Sequence, residues 1–138
     1  MLRFIGVVES VKEGLSSIRI FDEFAEGLKG LDTFSHLIIL YWFHLREGEE
    51  GRSVLKVVPR RHPGAPEVGV FASRSPSRPN PIGLSVSELV KIESNILWVK
   101  GLDAVEGSPI LDIKPYLPRA DAFSAAVVPE WMLRGPKT

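Results

Sequence analysis

The sequence has no cysteine, no proline before position 59, and no uncharged apolar run longer than residues 37–43. Without cysteine there can be no disulfide framework, no iron–sulfur cluster and no thiolate zinc site. An apolar run of that length falls far short of the ~20 residues a membrane-spanning helix needs. The opening Met1-Leu2-Arg3-Phe4-Ile5-Gly6 is too short an apolar stretch for a signal peptide. These absences favour a cytoplasmic protein. No Gly-x-Gly-x-x-Gly follows the first apolar run and there is no Walker loop, so a Rossmann or P-loop enzyme is not expected. The three histidines, His36, His44 and His62, stand in different elements without metal-ligand spacing, so no metal is expected.

Net charge is also zero, but it is unevenly spread. Residues 52–78 hold six Lys/Arg against Glu67 alone, while residues 1–51 hold five against nine Asp/Glu. A central basic block suits an anionic partner. Within it Arg60 and Arg61 are candidate RNA contacts, with His44, which ends an aromatic strand, as a third. The alternative is that these arginines pair with the acidic N-terminal third.

With 138 residues, 44% hydrophobic and 25% charged, the chain has the composition of one folded domain, expected to span 1–138. Apolar periodicity predicts strands near 2–8, 16–21, 36–43, 53–58, 68–72, 83–92 and 95–100, with a weaker one at 109–113. In the 83–92 segment Leu84 and Val86 alternate with Ser85 and Ser87, as one buried face requires, and the period breaks at Leu89-Val90, suggesting a bulge. Ser94-Asn95 reads as a tight hairpin turn. Short helices are expected near 22–29, terminated by Gly30, and at 129–133. Gly27-Leu28-Lys29-Gly30 also has nucleotide-clamp spacing, but a helix-ending turn explains it better. Many strands with little helix between them predict an all-β, mainly antiparallel barrel.

The densest chemistry lies in residues 69–85, Gly-Val-Phe-Ala-Ser-Arg-Ser-Pro-Ser-Arg-Pro-Asn-Pro-Ile-Gly-Leu-Ser. Pro76, Pro79 and Pro81 fix φ and push Ser75, Arg78 and Asn80 toward extended backbone. A stiff loop carrying two guanidinium groups and a carboxamide is either a preorganised site or a polyproline-like connector.

These residues resemble the signature of the TsaA/TrmO-like family. Two other blocks agree: Gly27-Leu28-Lys29-Gly30-Leu31 running to Trp42-Phe43-His44, and Gly101-Leu102-Asp103 followed by Asp112-Ile113-Lys114-Pro115-Tyr116. The resemblance implies a TsaA-like β-barrel and an S-adenosylmethionine-dependent tRNA methyltransferase, usually dimeric, with the methyl donor near the subunit interface. It implies that the acceptor is N6 of threonylcarbamoyladenosine beside the anticodon. Donor contacts are expected from Phe71, Ala72, Arg74, Ser75, Arg78, Asn80, Leu84, Asp103, Asp112 and Lys114. Arg74 or Arg78 can grip the donor carboxylate bidentately. Asn80 can read an adenine edge or hold the loop. Asp103 or Asp112 can hold a ribose diol or an ammonium group, or take the proton leaving an acceptor nitrogen; Asp103 is the candidate catalytic base. Lys114 can equally pair with Asp112 in a structural network. The alternative function is a non-catalytic RNA- or nucleotide-binding barrel. Two departures from the family stand out: no added C-terminal domain is expected after Trp131, and the segment after Ser10 is shorter than in longer relatives. Residues 37–43 carry apolar side chains to both faces of one strand, which favours a homodimer.

Overall fold

A computed structural model describes residues 1–137. In chain order the strands are β1 (Gly6–Lys12), β2 (Leu15–Ile20), β3 (His36–Trp42), β4 (Lys56–Val57), β5 (Val68–Gly69), β6 (Ile82–Glu93), β7 (Ile96–Lys100) and β8 (Pro109–Pro115). The α-helices are single turns, α1 (Glu49–Arg52) and α2 (Pro118–Asp121), and the remaining helical turns are of the 3-10 type. The chain forms two compact units: residues 1–44 with 82–121, and residues 45–81 with the segment from Ala122 onward.

The first unit is an antiparallel barrel with strand order β1-β2-β7-β6-β3-β8. It closes because β8 pairs with β3 from Leu37↔Pro115 to Tyr41↔Ile110 and also with β1 at Gly6↔Ile110 and Val7↔Pro109. Val8, Ile18, Ile20, Leu37, Ile39, Leu97, Val99 and Ile110 fill its interior. Fully burying a side chain of this size contributes about 1.5–3 kcal/mol relative to exposure.

One strand boundary is corrected in the barrel. The first strand runs over Gly6–Lys12 and not 2–8. Glu13 (φ 53°) and Gly14 (φ 79°) both adopt the left-handed region, which builds a two-residue hairpin joining Lys12 to Leu15 and draws β1 toward its C-terminal side. The alternation expected in β6 is present, and the structure settles which set is buried. Ser85 and Ser87 face inward, opposite Ile39 and Leu37, while Ile82, Leu84 and Val86 face outward. Gly83 fixes this phase: it opposes Tyr41, whose ring fills the space a Cβ would need. The serines are accommodated because Ser85 Oγ donates to the Gly101 carbonyl at 3.0 Å and lies 3.3 Å from Ser87 Oγ.

The outer face of β6 and β3 is therefore apolar, with Ile82 beside Trp42, Leu84 beside Leu40 and Val86 beside Ile38. The bulge at Leu89–Lys91 and the Ser94-Asn95 turn are present, with Ser94 at φ 55°. Asn95 Nδ2 ties that turn back to the Ile20 carbonyl at 2.6 Å. The helical turn Asp22–Leu28 is 3-10 and is followed by Gly30 at φ 85°, so residues 27–30 do end a helical turn.

In the second unit the strands expected at 53–58 and 68–72 shrink to the two-residue pairing of β4 with β5, Lys56↔Gly69 and Val57↔Val68. Pro59, Pro63 and Pro66 supply no amide donors, which stops the ladder from extending. His62 follows the exposed Arg60 and Arg61 in sequence but is itself buried. Its Nδ1 lies 2.6 Å from the Arg134 carbonyl and its ring meets Trp131 edge-on at 5.8 Å. The 3-10 turn Glu130–Leu133 is thereby fastened to residues 62–64, helped by Arg134 Nη1 donating to the Pro63 carbonyl.

Candidate functional site

Strand β5 ends at Gly69, and the chain turns through one 3-10 turn, Val70–Ala72. That turn buries Val70 and leaves Phe71 81% exposed. From Ser73 the loop folds on its own hydroxyls. Ser73 Oγ donates to the Val70 carbonyl at 2.8 Å and accepts the Ser75 amide at 3.3 Å. Ser75 Oγ accepts the Ser77 amide at 3.2 Å. Such side-chain bonds replace a ladder that the prolines forbid.

The two loop arginines differ. Arg78 is half-buried, with Nη1 donating to the carbonyls of Ser73 (3.2 Å) and Ser75 (3.1 Å) and Nη2 to that of Val70 (2.8 Å). Arg74 is exposed and has no hydrogen-bond or ion-pair partner among the described residues. At the far end of the loop Arg52, from α1, donates through Nε to the Pro79 carbonyl at 2.7 Å and through Nη2 to Asn80 Oδ1 at 3.2 Å. Asn80 thus takes part in holding the loop. Phe71, Ala72, Arg74, Ser75, Arg78 and Asn80 all belong to this one braced segment. Arg60 and Arg61 are exposed elsewhere in the same unit.

The barrel carries the other expected residues, in two places. Leu84, Asp112 and Lys114 lie on its outer face: Leu40 stands between Leu84 and Asp112, and Ile38 pairs with Lys114. Strands spaced ~4.8 Å apart place Leu84 and Asp112 about 10 Å from each other. Asp112 Oδ2 pairs with Lys114 Nζ at 3.0 Å and its Oδ1 accepts the Ile113 amide at 2.9 Å, which is the network foreseen for this pair. Asp103 lies beyond the end of β7, exposed, between buried Leu102 and Ala104. Its main-chain carbonyl accepts the Tyr41 hydroxyl at 2.6 Å, so its backbone is fixed from inside the barrel. His44 begins a 3-10 turn directly after β3, and its Nε2 is near Gly107.

Sequence reasoning missed Arg52 and Tyr41. Neither sits in a motif, because each acts on a main-chain carbonyl distant in sequence. Among the described residues no group of three or more His, Asp or Glu side chains is placed to hold a metal ion. No helix there is long and apolar enough to cross a membrane.

Comparison with known proteins places this geometry in a family. The family described as the tRNA-methyltransferase O N-terminal domain matches residues 8–122. An S-adenosyl-L-methionine-binding protein of Archaeoglobus fulgidus is 44% identical over 138 residues, covering 90% of this chain and 94% of that protein. The tRNA (adenine(37)-N6)-methyltransferase of Escherichia coli is 43% identical over 125 residues, covering 88% of this chain and 52% of the relative. A crystal structure of TrmO from Pseudomonas aeruginosa superposes with a TM-score of 0.71 at 31% identity, covering 92% of this chain and 60% of that one. The chain thus spans nearly all of the archaeal relative but little more than half of the two bacterial ones. It belongs to the TrmO N-terminal domain family.

Proposed function

We propose that this chain binds S-adenosyl-L-methionine and transfers its methyl group to N6 of an adenine in tRNA, the acceptor being threonylcarbamoyladenosine beside the anticodon. The observation that carries the reading is the braced loop at residues 69–81, which leaves Arg74 exposed and, among the described residues, unpartnered beside an exposed Phe71. Those groups suit the donor. A planar guanidinium matches the carboxylate of its amino-acid tail, and an aromatic face matches its purine.

Bound donor supplies an electrophilic methyl on a sulfonium, so the protein's contribution is chiefly alignment. Arg74 holds the carboxylate, and Phe71, Ala72 and Ser75 of the same loop are further donor contacts. Leu84, Asp112 and Lys114 form a second set of donor contacts on the barrel, with Asp112 able to accept from a ribose hydroxyl or an ammonium group while it pairs with Lys114. The N6 lone pair of the acceptor is delocalised into the purine and the carbamoyl group, so losing its proton needs an acceptor in place. Asp103 fills that role, its backbone held by Tyr41. Arg60, Arg61 and His44 contact RNA. The apolar outer face of β3 and β6 pairs with a second copy in a cytoplasmic homodimer that places the donor near the interface.

Calorimetry with S-adenosylmethionine and transfer of labelled methyl to tRNA test this reading. Saturable binding with transfer to the threonylcarbamoylated adenine is expected. A second reading, a binding module without turnover, draws on the archaeal relative of nearly the same span, which is named for binding alone. Binding with no label in any tRNA would select it, and no binding would end both.

A further inference from the structure

We propose that Arg78 and Arg52 are positioning residues that hold the loop's main chain in the shape that presents Phe71 and Arg74, without touching the donor themselves. This assignment rests on the donor-binding reading above. It gives the two arginines of the loop different roles, with Arg74 meeting the ligand and Arg78 meeting the backbone.

The Val70 carbonyl already accepts the Ser73 amide at 3.2 Å and the Ser73 hydroxyl at 2.8 Å before Arg78 Nη2 reaches it at 2.8 Å. Three donors on one oxygen exceed its two lone pairs, an arrangement favoured when one donor is a cation. Arg78 Nη1 bridges the next two carbonyls, of Ser73 and Ser75. A guanidinium is suited to this because its planar fork serves several acceptors at fixed angles. With both terminal nitrogens committed to carbonyls, Arg78 has only Nε outside these contacts and cannot offer a two-nitrogen fork to a carboxylate.

Arg52 does the same at the other end, through Pro79 and Asn80. Pro76, Pro79 and Pro81 remove three amide donors from the segment, so its order depends on donors supplied by side chains. Braces of this kind raise affinity by removing the ordering cost that a floppy loop would incur on binding.

Hydrogen exchange on the ligand-free protein and donor titrations of Arg78→Ala, Arg52→Ala and Arg74→Ala test the division. In Arg78→Ala the Ser75 and Ser77 amides should lose protection by about tenfold or more while the barrel strands keep theirs. In Arg52→Ala the loss should centre on residues 77–80. Donor Kd should rise about tenfold in both variants, with kcat at saturating donor within about twofold of wild type, and saturating donor should restore protection. Arg74→Ala should weaken donor binding with no change in ligand-free exchange. Unchanged exchange in Arg78→Ala would overturn the assignment, as would kcat falling at unchanged donor affinity, the mark of a protein merely less folded. A wild-type protein that binds no donor would sink the functional reading, whereas the exchange arm uses no ligand and still decides whether the brace exists.

Discussion

Gly83→Ala tests the packing that orients β6 and anchors Asp103. A Cβ at this position would lie 2.5 Å from Tyr41 Cζ, 2.6 Å from Cε2 and 2.9 Å from Phe43 Cζ, where ordinary contact begins near 3.4 Å. The Tyr41 ring must therefore retreat by about 0.9 Å, yet it is 3% exposed and packs edge-on against Phe43 at 5.2 Å. Overpacking of this kind costs ~1–3 kcal/mol. Losing the Tyr41 hydroxyl bond to Asp103 adds ~0.5–1.5 kcal/mol. The smaller entropy of an unfolded alanine offsets ~0.4–1 kcal/mol. The net loss is about 2–3 kcal/mol, which lowers Tm by roughly 10 °C in a chain of this size. Urea melts followed by tryptophan fluorescence measure it, with Tyr41→Phe isolating the hydroxyl share at about 1 kcal/mol. A Gly83→Ala protein with wild-type stability would refute the phase assigned to β6, because only an inward Gly83 meets that ring.

The remaining predictions concern the donor, the barrel interior and its outer face. Arg74→Ala should weaken S-adenosylmethionine binding by ~1.5–3 kcal/mol in calorimetry, the range for a hydrogen bond to a charged group; an unchanged Kd would return Arg74 to the bulk surface. Among the described residues Ser16 Oγ is buried without a hydrogen-bond partner, whereas Ser85 Oγ bonds to the Gly101 carbonyl. Ser16→Ala should therefore leave stability unchanged or raise it, while Ser85→Ala should lower it by about 1 kcal/mol, and denaturant midpoints that rank the pair the other way would contradict the interior described. For the homodimer proposed above, Leu84→Asp on the exposed apolar face should keep the fold by circular dichroism and shift light scattering from dimer to monomer; a monomeric wild type would remove the dimer, and an undiminished dimer would move the interface elsewhere.

Much of the barrel is legible in the sequence because period-2 patterning and Gly or Asn turns are local signals. The bulge at Leu89–Lys91 and the Ser94-Asn95 hairpin belong to that class. What patterning alone does not settle is phase. The alternation of Leu84 and Val86 with Ser85 and Ser87 has the same period whichever set faces inward, and the choice is made by Gly83 meeting Tyr41 across the sheet. The Glu13-Gly14 turn is hidden because glutamate is an unusual residue at positive φ, and apolar patterning therefore starts β1 four residues early. The stiff loop at 69–81 is recognisable from its prolines. Its division into an exposed Arg74 and a committed Arg78 depends on where carbonyls converge, which no residue type announces. The burial of His62, next to Arg60 and Arg61 in sequence, is not legible locally because it depends on a C-terminal turn distant in sequence.

The most direct test of the central claim is a single-turnover assay with the purified chain, methyl-labelled S-adenosylmethionine and tRNA that carries threonylcarbamoyladenosine. The account predicts label on N6 of that nucleoside after digestion, with transfer abolished or strongly reduced in Asp103→Ala. Tight donor binding with no label in the nucleoside would contradict it.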